Sequence, residues 1–161
     1  SHAARMAAEH TLLYRSVLPA SCRHGTFVPP QAFEIPGIEV LEREVFGPIL
    51  HVVRYRSDDI EAVCRAINGT GYGLTLGIHS RIEAFARRIF DLVRVGNTYV
   101  NRNMVGAVVG VQPFGGQGLS GTGFKAGGPH YLLRFAQERS ISVNTTASGG
   151  NPDLLSLSDD A

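Results

Sequence analysis

Apolar positions recur along this chain with two different periods. Ile82, Phe85, Ala86, Ile89, Leu92 and Val93 fall three and four residues apart, the stripe of an amphipathic helix, with Ser80 before it as a cap and Gly96 after it as a stop. Ile60, Val63, Cys64 and Ile67 repeat that spacing over a shorter stretch, opened by Ser57-Asp58-Asp59 and closed by Asn68-Gly69. Residues 49–55 are β-branched and mostly apolar, which predicts a strand buried on most of its surface; 74–79 and 97–101 read as two further strands. From residue 49 to 101 the order is therefore strand, helix, strand, helix, strand, the rhythm of a parallel sheet covered by helices. Residues 3–10 suit a helix. Residues 26–28 suit a short strand stopped by Pro29-Pro30, and Pro129 opens a short helix to about residue 136. A last strand is expected at 140–144, and 145–161 forms a polar tail.

Composition narrows the partners. At 161 residues, 43% hydrophobic and 18% charged, the chain suits one globular domain with a real core. A net charge of +1 generates no long-range field, which argues against nucleic acid and anionic membrane. No apolar run approaches the roughly 20 residues of a transmembrane helix, and the N-terminus lacks an apolar signal segment. Cys22 and Cys64 have no metal-ligand or CxxC spacing and the six histidines are scattered, so free thiols, a cytoplasmic setting and no metal site are expected. More than half of the 19 glycines lie between Gly96 and Gly128, where the backbone must turn or approach something closely.

Three constellations carry candidate chemistry. Gly116-Gln117-Gly118-Leu119-Ser120-Gly121 spells GxGxxG, but a dinucleotide site needs that pattern to leave a strand and open a long helix. Here it follows Pro113 and meets no amphipathic helix before Pro129, so a structured glycine-rich loop is expected. Glu44-Val45-Phe46-Gly47-Pro48 precedes a strand; it reads either as a plain turn or as a carboxylate and ring able to meet a ribose diol and an adjoining ring. Residues 101–110 form a loop with the small pair Gly106-Ala107 ahead of Gln112-Pro113-Phe114-Gly115-Gly116. That loop is either an inert surface turn or a nest of backbone N–H groups for an anion.

The Glu-x-Phe-Gly-Pro and Pro-Phe-Gly-Gly words, with their flanks, resemble the C-terminal portion of NAD(P)-dependent aldehyde dehydrogenases. The resemblance runs from about residue 28 to 155. It implies an α/β fold, part of an aldehyde dehydrogenase catalytic domain with a mainly parallel sheet and flanking helices. Residues 1–139 would belong to that domain, and 140–161 would be an oligomerisation-type edge strand and flexible tail. It assigns Glu44 and Phe46 to the nicotinamide ribose and ring of NAD. The Gly106-Ala107 pair and the ending from Gln117 onward are similar to the subfamily that oxidises L-glutamate γ-semialdehyde, formed from pyrroline-5-carboxylate. There Gly106 and Ala107 would anchor the α-carboxylate through main-chain amides, and Phe114 would pack on the aliphatic part. Residues 141–150 look like the bifunctional proline-utilisation enzymes, which carry a flavin (FAD) in an upstream proline dehydrogenase domain.

The departures bear on activity. The family's nucleophilic cysteine sits in a Gly-Gln-x-Cys-type run. Cys22, in Pro19-Ala20-Ser21-Cys22-Arg23-His24-Gly25, has no such setting, and Cys64 lies on an apolar helix face. The nucleophile, the general-base Glu, the oxyanion-hole Asn and the dinucleotide-binding half are expected in a missing N-terminal half. The chain would thus contribute no catalytic residue, would be inactive alone, and would belong to a homo-oligomer. Two other readings are open: a different aldehyde dehydrogenase, and a non-catalytic assembly or anion-binding module.

Overall fold

The computed structural model describes residues 1–108, 110–121 and 123–144. The elements are α1 (His2–Glu9), β1 (Thr11–Arg15), β2 (Gln31–Glu34), β3 (Ile49–Val52), α2 (Ile60–Gly69), β4 (Tyr72–Gly73), β5 (Thr75–Ile78), α3 (Glu83–Leu92), β6 (Asn97–Val100) and β7 (Gln117–Gly118). Contacts divide the chain into two units, Ser1–Tyr131 and Leu132–Ala161. All of these elements lie in the first.

β5 and β6 pair in parallel, Thr75 opposite Asn97 through Ile78 opposite Val100, with α3 as the crossover between them. The apolar stripe explains why α3 lies on this pair. Ala86, Ile89 and Val93 are buried with Ile78 of β5 and with Ile60 and Cys64 of α2, forming one core. Asn68 joins the two helix ends: its Nδ2 donates to Leu92 O, and its Oδ1 accepts from the Arg94 N–H, both at 2.8 Å. Asn101 stops β6 in the left-handed region at φ 55°, and its side chain bonds both backbone groups of Ser80. Ser80 itself stands two residues before the helix cap Ile82, accepting the Ile82 N–H at 3.0 Å. The expected capping serine therefore organises the approach to α3 instead of its first turn.

A second core holds Met6, Phe33 and Ile35, with Val40, Leu41 and Ile49 packed against it. It sits on a three-stranded sheet in the order β1-β2-β3, with β1 antiparallel and β3 parallel to β2. Here the sequence expectations need correction. No strand forms at 26–28; the strand begins at Gln31, beyond Pro29-Pro30. The prolines lack the N–H a ladder needs, whereas the Gln31 N–H donates to Pro48 O at 3.0 Å. β1 was not expected at all. β3 ends at Val52; Ile49 and His51 face the core and α1, while Leu50 on the opposite face is exposed, so the strand is not buried on most of its surface. The chain is α/β as read, but the single parallel sheet over 49–101 is divided: β3 hydrogen-bonds β2, and β5 hydrogen-bonds β6.

Downstream, the expected helix at 129–136 is a 3-10 turn, Tyr131–Phe135. No ladder among the described residues includes 140–144, which adopt no regular structure. A β-rich run becomes a strand only when a neighbour supplies the hydrogen bonds. The expected tail at 145–161 lies outside the described residues. Among those described, no helix is long and apolar enough to cross a membrane.

Candidate functional site

The loop after β6 and the Pro113-Phe114-Gly115 segment enclose a hollow of about 320 Å³ lined by Gly106, Ala107, Gln112, Phe114, Ala126 and Gly127. The three residues expected to hold substrate therefore meet in one place. Each part of the hollow has a local cause. Phe114 exchanges both backbone hydrogen bonds with Ala126, N–H to O at 3.0 and 2.9 Å, as an isolated antiparallel bridge. Asn97 brackets Phe114 from β6: its Nδ2 donates to Pro113 O at 3.0 Å, and its Oδ1 accepts the Gly115 N–H at 3.3 Å. Phe114 keeps 37% of its surface exposed, on view to a ligand.

Gly106 has φ 71° with open space where a Cβ would stand, so backbone conformation alone requires glycine there. The N–H groups of Gly106 and Ala107 donate to no described residue. Amides without a described acceptor, beside a small apolar wall, can accept a carboxylate carried on a short aliphatic chain. Sequence reasoning missed Gln112, Ala126 and Gly127 as lining, and Asn97 as a brace. Gln112 was visible as the first letter of its motif; Ala126 and Gly127 enter only through the bridge to Phe114, which no local pattern announces.

Glu44 and Phe46 lie elsewhere, in the loop ahead of β3. Glu44 lines a separate hollow of about 480 Å³ that includes His51, Tyr72, Thr75 and Ser120. Its carboxylate has no hydrogen bond or ion pair among the described residues. Phe46 is 90% exposed and lines neither hollow. A carboxylate acceptor and an exposed ring are groups chemically able to meet a ribose diol and an adjoining ring. The GxGxxG run is no pyrophosphate cradle: Gln117 and Gly118 form β7 against β4, and the Gly121 N–H then closes a tight turn on Gly118 O.

Neither cysteine sits in either hollow. Cys64 is 2% exposed in the α2–α3 core, where burial pushes its thiol pKa up; Cys22 is half-buried in a 3-10 turn. Among the described residues no group of three or more His, Cys, Asp or Glu gathers as a metal site.

Comparison with known proteins agrees with the motifs. The bifunctional protein PutA of Klebsiella aerogenes is 52% identical over 143 residues, covering 86% of this chain but 11% of the relative. A 1-pyrroline-5-carboxylate dehydrogenase of Geobacillus sp. is 39% identical over 120 residues, 73% of this chain and 23% of that protein. Among solved structures, proline utilization A of Bradyrhizobium japonicum superposes with a TM-score of 0.81 at 60% identity, over 91% of this chain and 15% of that one. The chain thus spans only a small part of the relatives it matches. The aldehyde dehydrogenase family model matches residues 3–141, nearly the whole described length, and the chain belongs to that family.

Proposed function

We propose that this chain is part of an NAD-dependent dehydrogenase that oxidises L-glutamate γ-semialdehyde, the hydrolysis product of pyrroline-5-carboxylate, to glutamate in proline catabolism. The observation that carries the reading is the hollow in which Gly106, Ala107 and Phe114 meet. In this proposal the amides of Gly106 and Ala107 hold the α-carboxylate, and Phe114 covers the methylenes. Glu44 accepts from the ribose diol and Phe46 meets the nicotinamide ring. NAD, when bound, takes up the hydride. The remaining residues of the cleft, including the nucleophilic cysteine, come from other parts of a longer, cytoplasmic enzyme, so the 161-residue chain alone is inactive. The similarity to PutA extends the proposal to an upstream proline dehydrogenase domain with FAD, and to self-association of the enzyme through residues 140–144.

Selectivity follows from desolvation. An uncharged aldehyde leaves the anchoring amides without a partner, which costs about 1–3 kcal/mol per group. The test is NADH formation by the full-length product of the reading frame carrying this chain, comparing pyrroline-5-carboxylate with propanal. The 161-residue chain serves as blank. A strong preference for pyrroline-5-carboxylate with a silent blank is expected. Ala107→Phe, which fills the hollow, should erase the preference. Equal wild-type rates on both aldehydes would refute the anchor, and turnover by the blank would mean that Cys22 or Cys64 is a nucleophile after all.

A further inference from the structure

The two peptide planes flanking Ala107 are each held by a buried or half-buried side chain. The Tyr99 hydroxyl donates to Gly106 O at 3.4 Å. Gln112 Oε1 accepts the Val108 N–H at 3.1 Å, while the Gln112 backbone N–H donates to Val108 O at 2.8 Å. Peptide planarity makes these contacts directional. Gly106 C=O and the Ala107 N–H belong to one plane and point opposite ways, so fixing the carbonyl aims the N–H. Fixing the Val108 N–H orients the following plane in the same manner, including Ala107 C=O.

Arg102 joins the two braces. Its guanidinium lies over the Tyr99 ring, 4.5 Å from Cζ to the ring centroid, and its Nη1 donates to the same Gln112 Oε1 at 3.4 Å. Tyr99 is 5% exposed and supplies a rigid base for the stack. Gly106, Ala107, Gln112, Phe114, Ala126 and Gly127, which line the hollow, are all uncharged, and Arg102 sets a permanent positive charge one hydrogen bond behind them.

We propose that Tyr99, Arg102 and Gln112 form a positioning bracket that selects carboxylate-bearing substrates: it presets the Ala107 N–H and supplies a cation behind an otherwise neutral hollow. This inference rests on the proposed function. The bracket acts through the loop and touches no reacting atom. Its loss therefore weakens binding of the charged aldehyde and leaves the chemical step alone. An amide that must be reoriented at each binding event gives up part of the advantage of preorganisation.

The test uses the full-length enzyme with Tyr99→Phe, which removes one oxygen from a retained ring, and with Arg102→Met, which keeps an unbranched stem but removes the charge and the donor to Gln112. For each variant KM and kcat are measured on pyrroline-5-carboxylate and on propanal. The expected result is a fall of about fivefold in the ratio of kcat/KM for the charged over the uncharged aldehyde, carried by KM, with kcat on the charged one within about twofold. An unchanged ratio in Tyr99→Phe, or a loss that falls on kcat for both substrates alike, overturns the bracket. If Arg102→Met does not fold, Tyr99→Phe decides the matter alone. A wild type that shows no preference removes the proposed function itself; a wild type that prefers the charged aldehyde beside variants that keep the preference removes only the bracket.

Discussion

Gly96→Ala is the perturbation whose consequence the geometry states most directly. A Cβ at Gly96 would stand 1.7 Å from Gly115 O, 2.7 Å from its carbonyl carbon and 2.8 Å from Gly116 Cα. A close carbon–oxygen contact is about 3.3 Å, so the Phe114-Gly115-Gly116 backbone must retreat by roughly 1.6 Å. Backbone cannot rotate aside as a side chain would. The retreat stretches the two hydrogen bonds by which Asn97 brackets Phe114, at about 0.5–1.5 kcal/mol each. It also disturbs the bond from Lys125 Nζ to Gly96 O. With a typical overpacking cost of about 1–3 kcal/mol, the substitution should destabilise the chain by about 2–6 kcal/mol. Gly69→Ala is the matched control. It lies at the end of α2 with nothing within 4 Å of the added carbon, and should be neutral or stabilising by up to about 1 kcal/mol. Urea unfolding of the two variants and the parent reads both values. A Gly96→Ala cost below about 1 kcal/mol, or one equal to that of Gly69→Ala, would refute the close approach of β6 to the glycine-rich segment.

Two further outcomes follow from charge and burial. His2 and His51 bring their Nε2 atoms within 3.0 Å, and both pKa values lie below the ordinary 6.5. Burial is the main cause, followed by neighbouring positive groups that include Arg5 and, around His51, His2 and His10. The unfolded chain then binds more protons between the two sets of values. Stability is therefore complete above about pH 6.5 and is lost as pH falls through the lowered folded values. The melting temperature should drop between pH 8 and pH 5, and less steeply in His51→Gln; identical slopes would rule out the pair. For the thiols, iodoacetamide at pH 8 should modify Cys22 alone in the folded chain and both cysteines in urea. Prompt native labelling of Cys64 would show that the α2–α3 core is open.

What could be read from the sequence followed from how local the cause was. α3 and its stripe, α2, and the strands β5 and β6 were legible because side-chain periodicity records the face each presents to a core. β1 escaped because Leu12, Leu13 and Tyr14 are exposed and leave no alternating pattern. The strand at 31–34 was displaced by reading Pro29-Pro30 as a stop, whereas the prolines come before the ladder. The continuous sheet failed because periodicity tells which segments are strands and not which strand each one pairs. For the site, Gly106, Ala107 and Phe114 were legible as motif words. Their meeting in one hollow depends on Asn97 and Ala126, residues whose roles arise from pairing across the fold.

The arrangement of β4 to β7 also dictates an order of assembly. The partners in the β4–β7 pair are about twice as far apart in sequence as those in β5–β6, and that pair is only two residues long. A doubled loop costs about 0.6 kcal/mol more in chain entropy before any contact is made, with half the ladder to offset it. Once β5 and β6 have joined, the Gly96 N–H bonds Gly73 O at 3.0 Å, and the span left to close, from Gly96 to Gln117, is about half the original. The shorter closure thus prepares the longer one. The glycine-rich segment that carries Phe114 is laid down last, on a platform built by the most regular part of the sequence. A substitution in β5 or α3, far from any ligand, would then reach the hollow by delaying its formation, without altering a single contact inside it.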